Sequence, residues 1–174
     1  ELIATCILLL VAGHETTVNL IGNGTLALLR NPDQLELFKQ RLDDDDFVKN
    51  AVEELLRYDP PVQMTTRWVL EDIDYAGYTF KKGQQVAVMF AAANHDPERF
   101  DKPDQLDITR ENIKHMAFGN GIHFCLGAPL ARMEGQIALR ELFRRYPDLQ
   151  LTDVEPEHRP AYVLRGLKQL NLTF

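Results

Sequence analysis

The chain has 174 residues, a formal net charge of −7, and 45% hydrophobic and 26% charged residues. That length and balance suit one hydrophobic core, and the acidic charge argues against a general nucleic-acid binder. Cys6 and Cys125 are the only cysteines, too few for a disulfide scaffold and consistent with a reduced, cytoplasmic setting, and no zinc-type spacing occurs.

The first predicted helix runs from about Leu2 to Arg30 and turns amphipathic after Asn19. Its opening run, Leu2 to Ala12, is apolar all round, the pattern of a helix buried in a larger core. That run has no signal-peptide flank before it and falls short of the ~20 apolar residues that span a bilayer, so no membrane segment is expected. The chain therefore reads as starting inside a buried helix of a longer protein. Asn31 is the expected N-cap of a second helix, with Pro32 at its first position and an end near Leu42. Asp43 to Asp46 reads as a solvated turn, with Asp46 capping a third helix, Phe47 to Tyr58, that stops before Pro60-Pro61. Strands are predicted at Thr65–Leu70, Tyr78–Phe80 and Gln85–Met89, divided by turns at Gly77 and Gly83, then a short helix at Phe90–Asn94. From His95 to Phe124 there is no clear period, and irregular stretches of that length usually have a function. A helix follows Cys125 and runs to about Tyr146, and the tail reads as short strands.

Ala12-Gly-His-Glu-Thr-Thr17 interrupts the first helix with an acid and two hydroxyls. Gly13 weakens the helix there, and Thr16 can bond back to a carbonyl and bend it. Such a notch is either a polar patch at an interface or a proton relay, since a carboxylate beside a hydroxyl can pass protons from water. Glu54-Leu-Leu-Arg57 sets opposite charges at i,i+3, which read alone is a surface ion pair. Arg67 read alone is an exposed strand charge. Phe118-Gly-Asn-Gly-Ile-His-Phe-Cys-Leu-Gly127 places Cys125 in a glycine-rich loop. Gly119, Gly121 and Gly127 let the backbone take positive φ and approach a large flat ligand closely. A thiolate at the start of the next helix would face free N–H groups, whereas the bland alternative is a small buried hydrophobe.

The spacing Phe-x-x-Gly-x-His-x-Cys-x-Gly resembles the haem-ligand loop of the cytochrome P-450 family. The other segments fall in that family's order. The resemblance implies a mainly α fold with small β-sheets (α+β). Residues 1–174 would be the C-terminal portion of a single domain, from the oxygen-activating central helix to the C-terminus. It implies haem b as cofactor, with Cys125 as its axial thiolate and metal ligand. Phe118 would pack near the sulfur, His123 and Arg67 would bind the propionates, and Gly119 and Gly127 would shape the loop. In the central helix, Thr16 would be the oxygen-activating hydroxyl and Glu15 its acidic neighbour, with Ala12 and Gly13 leaving room for oxygen. His14 sits at a variable position and is taken as structural. Glu54, Arg57 and Arg110 would form a buried ion-pair network holding the Cys125 loop. Two departures stand out: His95 where the family often has Arg, and Asn120 where many bacterial members have His.

The expected activity is that of a soluble bacterial-type monooxygenase, inserting one atom of O₂ into a small, apolar organic substrate. Electrons would come from NAD(P)H through a ferredoxin- or flavodoxin-type donor, with Arg132, extended by Arg140, Arg144 and Arg145, as a docking patch. Pro61 to Met64 and Tyr162 to Leu164 would line the substrate cavity. Three alternatives stay open: a peroxide-driven enzyme, a haem-binding non-enzyme, and an inert truncated fragment.

Overall fold

In the computed structural model, which describes residues 1–174, Leu2–Arg30 form one continuous helix, α1. Its second half is the buried part: Asn19, Leu20 and Asn23–Leu28 lie in the core. The first half is not covered, and Leu2, Ile3 and Leu10 are each more than 70% exposed. The run expected to be buried thus has no partner within these residues. By length and composition α1 is long enough to cross a membrane, contrary to the expectation from its opening run. Its packed second half is the arrangement of a core helix.

Helix α2 is Pro32–Gln40 and α3 is Asp45–Tyr58. Asn31 is the N-cap of α2 with Pro32 after it, as expected, and its carbonyl accepts the Leu35 N–H at 2.9 Å, but its side chain turns back and donates from Nδ2 to the Ala27 carbonyl of α1 at 2.8 Å. The cap of α3 differs from expectation. Asp44, not Asp46, caps α3 by accepting the Phe47 N–H at 3.0 Å. The two acids after Asp44 then fall in the first turn, where the positive end of the helix dipole favours them. The aspartate run is also more than a solvated turn, because Asp43 and Asp45 pair with Arg144 and Arg140 from the far end of the chain.

Helix α3 buries Phe47, Val48, Ala51, Val52, Leu55 and Leu56. This one-sided stripe packs against α1 and against α5, Ala128–Arg145. Two glycines let the helices close up. A Cβ on Gly135 of α5 would meet Leu20 at 3.0 Å and Val52 at 3.4 Å, and one on Gly24 would meet Leu55 at 3.3 Å.

The β-structure is three antiparallel pairs. Strand β1, Met64–Trp68, pairs with β4, Gln85–Met89, in the register Arg67 to Val86. Strand β2, Ile73–Tyr75, which the sequence did not flag, pairs with β3, Tyr78–Phe80. Strands β5, Gln150–Leu151, and β6, Leu172–Thr173, join the chain's last residues to the end of α5. Helix α4, Phe90–Asn94, follows β4 directly. The fold class is as expected, helical with small sheets.

Residues 95–120 carry no helix or strand, so their carbonyls need other partners. Arg57 supplies several. Its side chain is wholly buried and donates to the carbonyls of Asn94, Pro103 and Gln105 at 2.8–3.1 Å while gripping Glu54 with two nitrogens. Arg110 completes the group, donating to Glu54 and to the Asp101 carbonyl. Glu54, Arg57 and Arg110 therefore do meet in one buried network, but it directly anchors residues 94–110 rather than the Cys125 loop. Removing one partner would strand a buried charge at a cost of about 3–5 kcal/mol.

Candidate functional site

A cavity of about 310 Å³ opens between the middle of α1, strand β1 and the loop before α5. Ala12, Gly13, Thr16 and Thr17 form one wall, and Phe118, Gly119, Cys125 and Gly127 lie on the other. Arg67 and His123 also line it. Its surface is mostly apolar, with Leu20, Pro61, Val62 and Phe90 contributing.

The loop that presents Cys125 is a tight backbone turn. Cys125 N–H donates to the Phe118 carbonyl at 2.9 Å, and Gly119 N–H donates to Met116 at 2.8 Å. Gly119 and Gly121 have φ of +69° and +67°, the left-handed region that glycine adopts without strain. Asn120 caps the single 3₁₀ turn Gly121–His123 with its side chain, accepting the Gly121 N–H at 2.8 Å. The Asn120 departure from the family pattern thus has a local role. Cys125 is exposed, not a buried hydrophobe, and lies three residues before α5. The N–H groups of Leu126 and Gly127 make no backbone or side-chain hydrogen bond within the chain, and such donors stabilise a thiolate.

On the opposite wall Thr16 donates its hydroxyl hydrogen to the Ala12 carbonyl at 2.7 Å, the back-bond expected from the sequence. A Cβ on Gly13 would meet no protein atom within 4 Å. A side chain there would narrow open space rather than clash. Thr17, which received no role from the sequence, also lines the cavity; its only signal was adjacency to Thr16.

Glu15 is not part of this wall. Its carboxylate pairs with Arg159 of the C-terminal tail at 3.1 Å. It reaches the cavity in this structure only through the backbone it shares with Thr16. The tail residues Tyr162 to Leu164 also lie outside the cavity, Tyr162 being 91% exposed. Of the segment 61–64, Pro61 and Val62 line it, whereas Gln63 turns to a separate polar pocket beside His95.

Charge distribution singles out Arg67. Every arginine except Arg67 and Arg99 has a carboxylate partner in the chain. Arg67 bonds only to Thr65 and the Thr66 carbonyl. An uncompensated guanidinium and His123, at one cavity with a thiol, form a donor set suited to a flat iron-bearing ligand with acidic side arms. Haem fits that set: Cys125 for the metal, Arg67 and His123 for the carboxylates, the apolar lining for the ring.

Arg132 does not form the expected free docking patch. Its Nε and Nη2 grip Glu53 at 2.6 and 2.9 Å, and its guanidinium lies 4.5 Å over the Phe118 ring. The Glu53 hydrogen bond raises its proton affinity further. Arg140, Arg144 and Arg145 are likewise paired with acids. Helix α5 therefore shows a charge-balanced face. The sequence also gave no role to Glu53 or to His115, which donates to Glu53 at 3.1 Å; an acidic doublet on α3 and a histidine ahead of Phe118 were the only traces. His95, the other departure from the family pattern, bonds to Asp104 and to the Tyr58 carbonyl at 3.0 and 2.9 Å, tying the end of α3 to the segment after α4.

The family model described as Cytochrome P450 matches residues 1–174. The chain is 49% identical over 174 residues to the biotin biosynthesis cytochrome P450 of Bacillus subtilis, covering 100% of this chain and 43% of that protein. It is 48% identical over 176 residues to the vitamin D(3) 25-hydroxylase of Pseudonocardia autotrophica, covering 99% and 43%. Among solved structures it superposes on P450BioI in complex with a hexadec-9Z-enoic acid-ligated acyl carrier protein, with a TM-score of 0.92, 50% identity, and coverage of 97% of this chain and 43% of that one. Bacillus megaterium CYP109E1 in complex with testosterone gives a TM-score of 0.93 at 41% identity, covering 99% and 47%. The chain thus spans less than half the length of these relatives.

Proposed function

The chain belongs to the cytochrome P450 family, and on that premise we propose that it is the haem-binding, oxygen-activating portion of a bacterial cytoplasmic monooxygenase. The observation that carries this is the placement of Cys125 and Thr16 at one apolar cavity, contributed by segments more than a hundred residues apart. Haem bound there would supply the activation of O₂. One oxygen atom enters a substrate C–H bond and the other leaves as water, taking up two electrons and two protons, the electrons coming from NAD(P)H through a ferredoxin- or flavodoxin-type protein.

The chain's own residues have separable tasks. Cys125 holds the metal through its sulfur, with the Leu126 and Gly127 N–H groups available to it. Arg67 and His123 take the ligand's carboxylates and fix its rotation in the cavity. Thr16 has its hydroxyl hydrogen on the Ala12 carbonyl, so its lone pairs are left to accept a hydrogen bond from a protonated oxygen group in the cavity. Gly13 and Ala12 keep that space open. The apolar lining excludes water and favours an apolar substrate. That inference agrees in kind with relatives named for vitamin D3 hydroxylation or solved with testosterone.

A peroxide-driven enzyme is the second reading, favoured by the pairing of Glu15 with Arg159 away from the cavity. Hydrogen peroxide brings both the oxygen atom and the oxidising equivalents, so less proton delivery is needed. One variant separates the two. In the haem-loaded protein, Thr16→Ala is expected to keep haem and substrate affinity but divert most NAD(P)H-derived electrons to peroxide. Consumption that stays fully coupled to product in that variant would sink the role of Thr16. Turnover with peroxide alone at the coupled rate would favour the second reading.

A further inference from the structure

One carboxylate, Glu53, ties together the segments that place Cys125. It lies on α3 and accepts both arms of Arg132, from Nε at 2.6 Å and from Nη2 at 2.9 Å. It also accepts Nε2–H of His115 at 3.1 Å. The other ring nitrogen of His115 accepts the Ala117 N–H at 3.1 Å, which assigns the ring proton to Nε2. His115 is buried, its side chain only 3% exposed. The Arg132 guanidinium lies 4.5 Å over the Phe118 ring, and the His115 ring is 5.8 Å from that same ring. The Phe118 carbonyl then accepts the N–H of Cys125 at 2.9 Å.

The sulfur-bearing loop is therefore clamped on both sides. His115 to Phe118 lead into it, and α5 with Arg132 leads out of it, and Glu53 holds both. The clamp also has an electrostatic side, because the Arg132 guanidinium stacks on the ring of Phe118, the residue whose carbonyl holds the Cys125 N–H. Left without a counter-ion, that guanidinium would draw charge from the sulfur and favour a reduced metal.

We infer that Glu53 is a positioning residue for the axial thiolate, fixing the Phe118–Cys125 loop through Arg132 and His115 and cancelling the Arg132 charge beside the sulfur. Its role rests on the assignment of Cys125 as the haem ligand. By keeping the sulfur electron-rich, Glu53 holds the reduction potential of bound iron down. The same interaction explains why Arg132 does not serve as a free docking charge.

The test is the Fe(III)/Fe(II) midpoint potential, read with the CO-bound absorption band, of the haem-loaded wild type, Glu53→Gln and Glu53→Asp. Glu53→Gln keeps the size and removes the charge. Its potential is expected to shift upward, and its red-shifted CO band to convert more readily to the unshifted form on mild heating. Glu53→Asp keeps the charge and is expected to return the potential toward wild type. A Glu53→Gln potential equal to wild type, with an equally stable red-shifted band, overturns the inference. Where that variant holds too little haem to read, Glu53→Gln/Arg132→Gln decides. A potential near wild type upholds the charge-cancelling role, and an upward shift in that balanced pair overturns it. A wild type lacking the red-shifted band removes the thiolate assignment itself, and the role of Glu53 with it.

Discussion

Burial alone pushes the Glu53 carboxyl upward, yet its hydrogen bonds with His115 and Arg132 hold it down at about 2, against an ordinary 4.5. A carboxylate whose folded value is depressed stabilises the fold fully above its unfolded value, and that stability is lost as pH falls through the folded value. Here the window runs from about 4.5 down to about 2, and a shift of this size is worth at most roughly 3 kcal/mol. Glu53→Gln should be less stable than wild type at pH 7, with the gap closing as pH falls through that window. Denaturant unfolding at a series of pH values measures it, and a gap that stays constant from pH 7 to below pH 3 would contradict the pairing. Residues such as Cys125 and Thr16 were legible in the sequence because each sits in a short local pattern. Glu53 was not, since its partners His115 and Arg132 lie 62 and 79 residues away. The pairing of Glu15 with Arg159 was not legible, because nothing local points 144 residues down the chain.

Helix α5 can start at the cysteine loop and still reach the core because Gly135 lets it approach α1 and α3. An added methyl at that position would gain about 1 kcal/mol of helix propensity. It would also press on Leu20 at 3.0 Å and Val52 at 3.4 Å, both in the core, and overpacking costs about 1–3 kcal/mol. The second effect wins, so Gly135→Ala should lower the unfolding temperature by an amount equivalent to about 1 kcal/mol. A raised unfolding temperature would show that the three helices do not close on that glycine. The elements themselves were largely readable. The bounds of α1, β3, β4 and α4 follow from apolar runs bracketed by turn residues. What escaped were choices made by tertiary contacts. Asn31 starts α2 as read but sends its side chain back to α1, and Asp44 rather than Asp46 caps α3. Strand β2, only three exposed residues long, exists because β3 pairs with it.

At the scale of the molecule, the second half of α1, α3 and α5 form the packed framework. The long irregular segment is held to it by Arg57 and Glu54, and the cysteine loop by Glu53. The cavity lies where that loop meets the point at which α1 changes from an uncovered apolar helix to a core helix. Chemistry and packing therefore share one element, with Thr16 at the boundary between its two halves. At that cavity Cys125 would provide the metal's thiolate. The most direct measurement is the absorption spectrum of the haem-loaded, reduced, CO-bound protein beside that of Cys125→Ser. The wild type is expected to show the red-shifted Soret band of thiolate ligation, and Cys125→Ser to lose it. The same red-shifted band in both proteins would contradict the account.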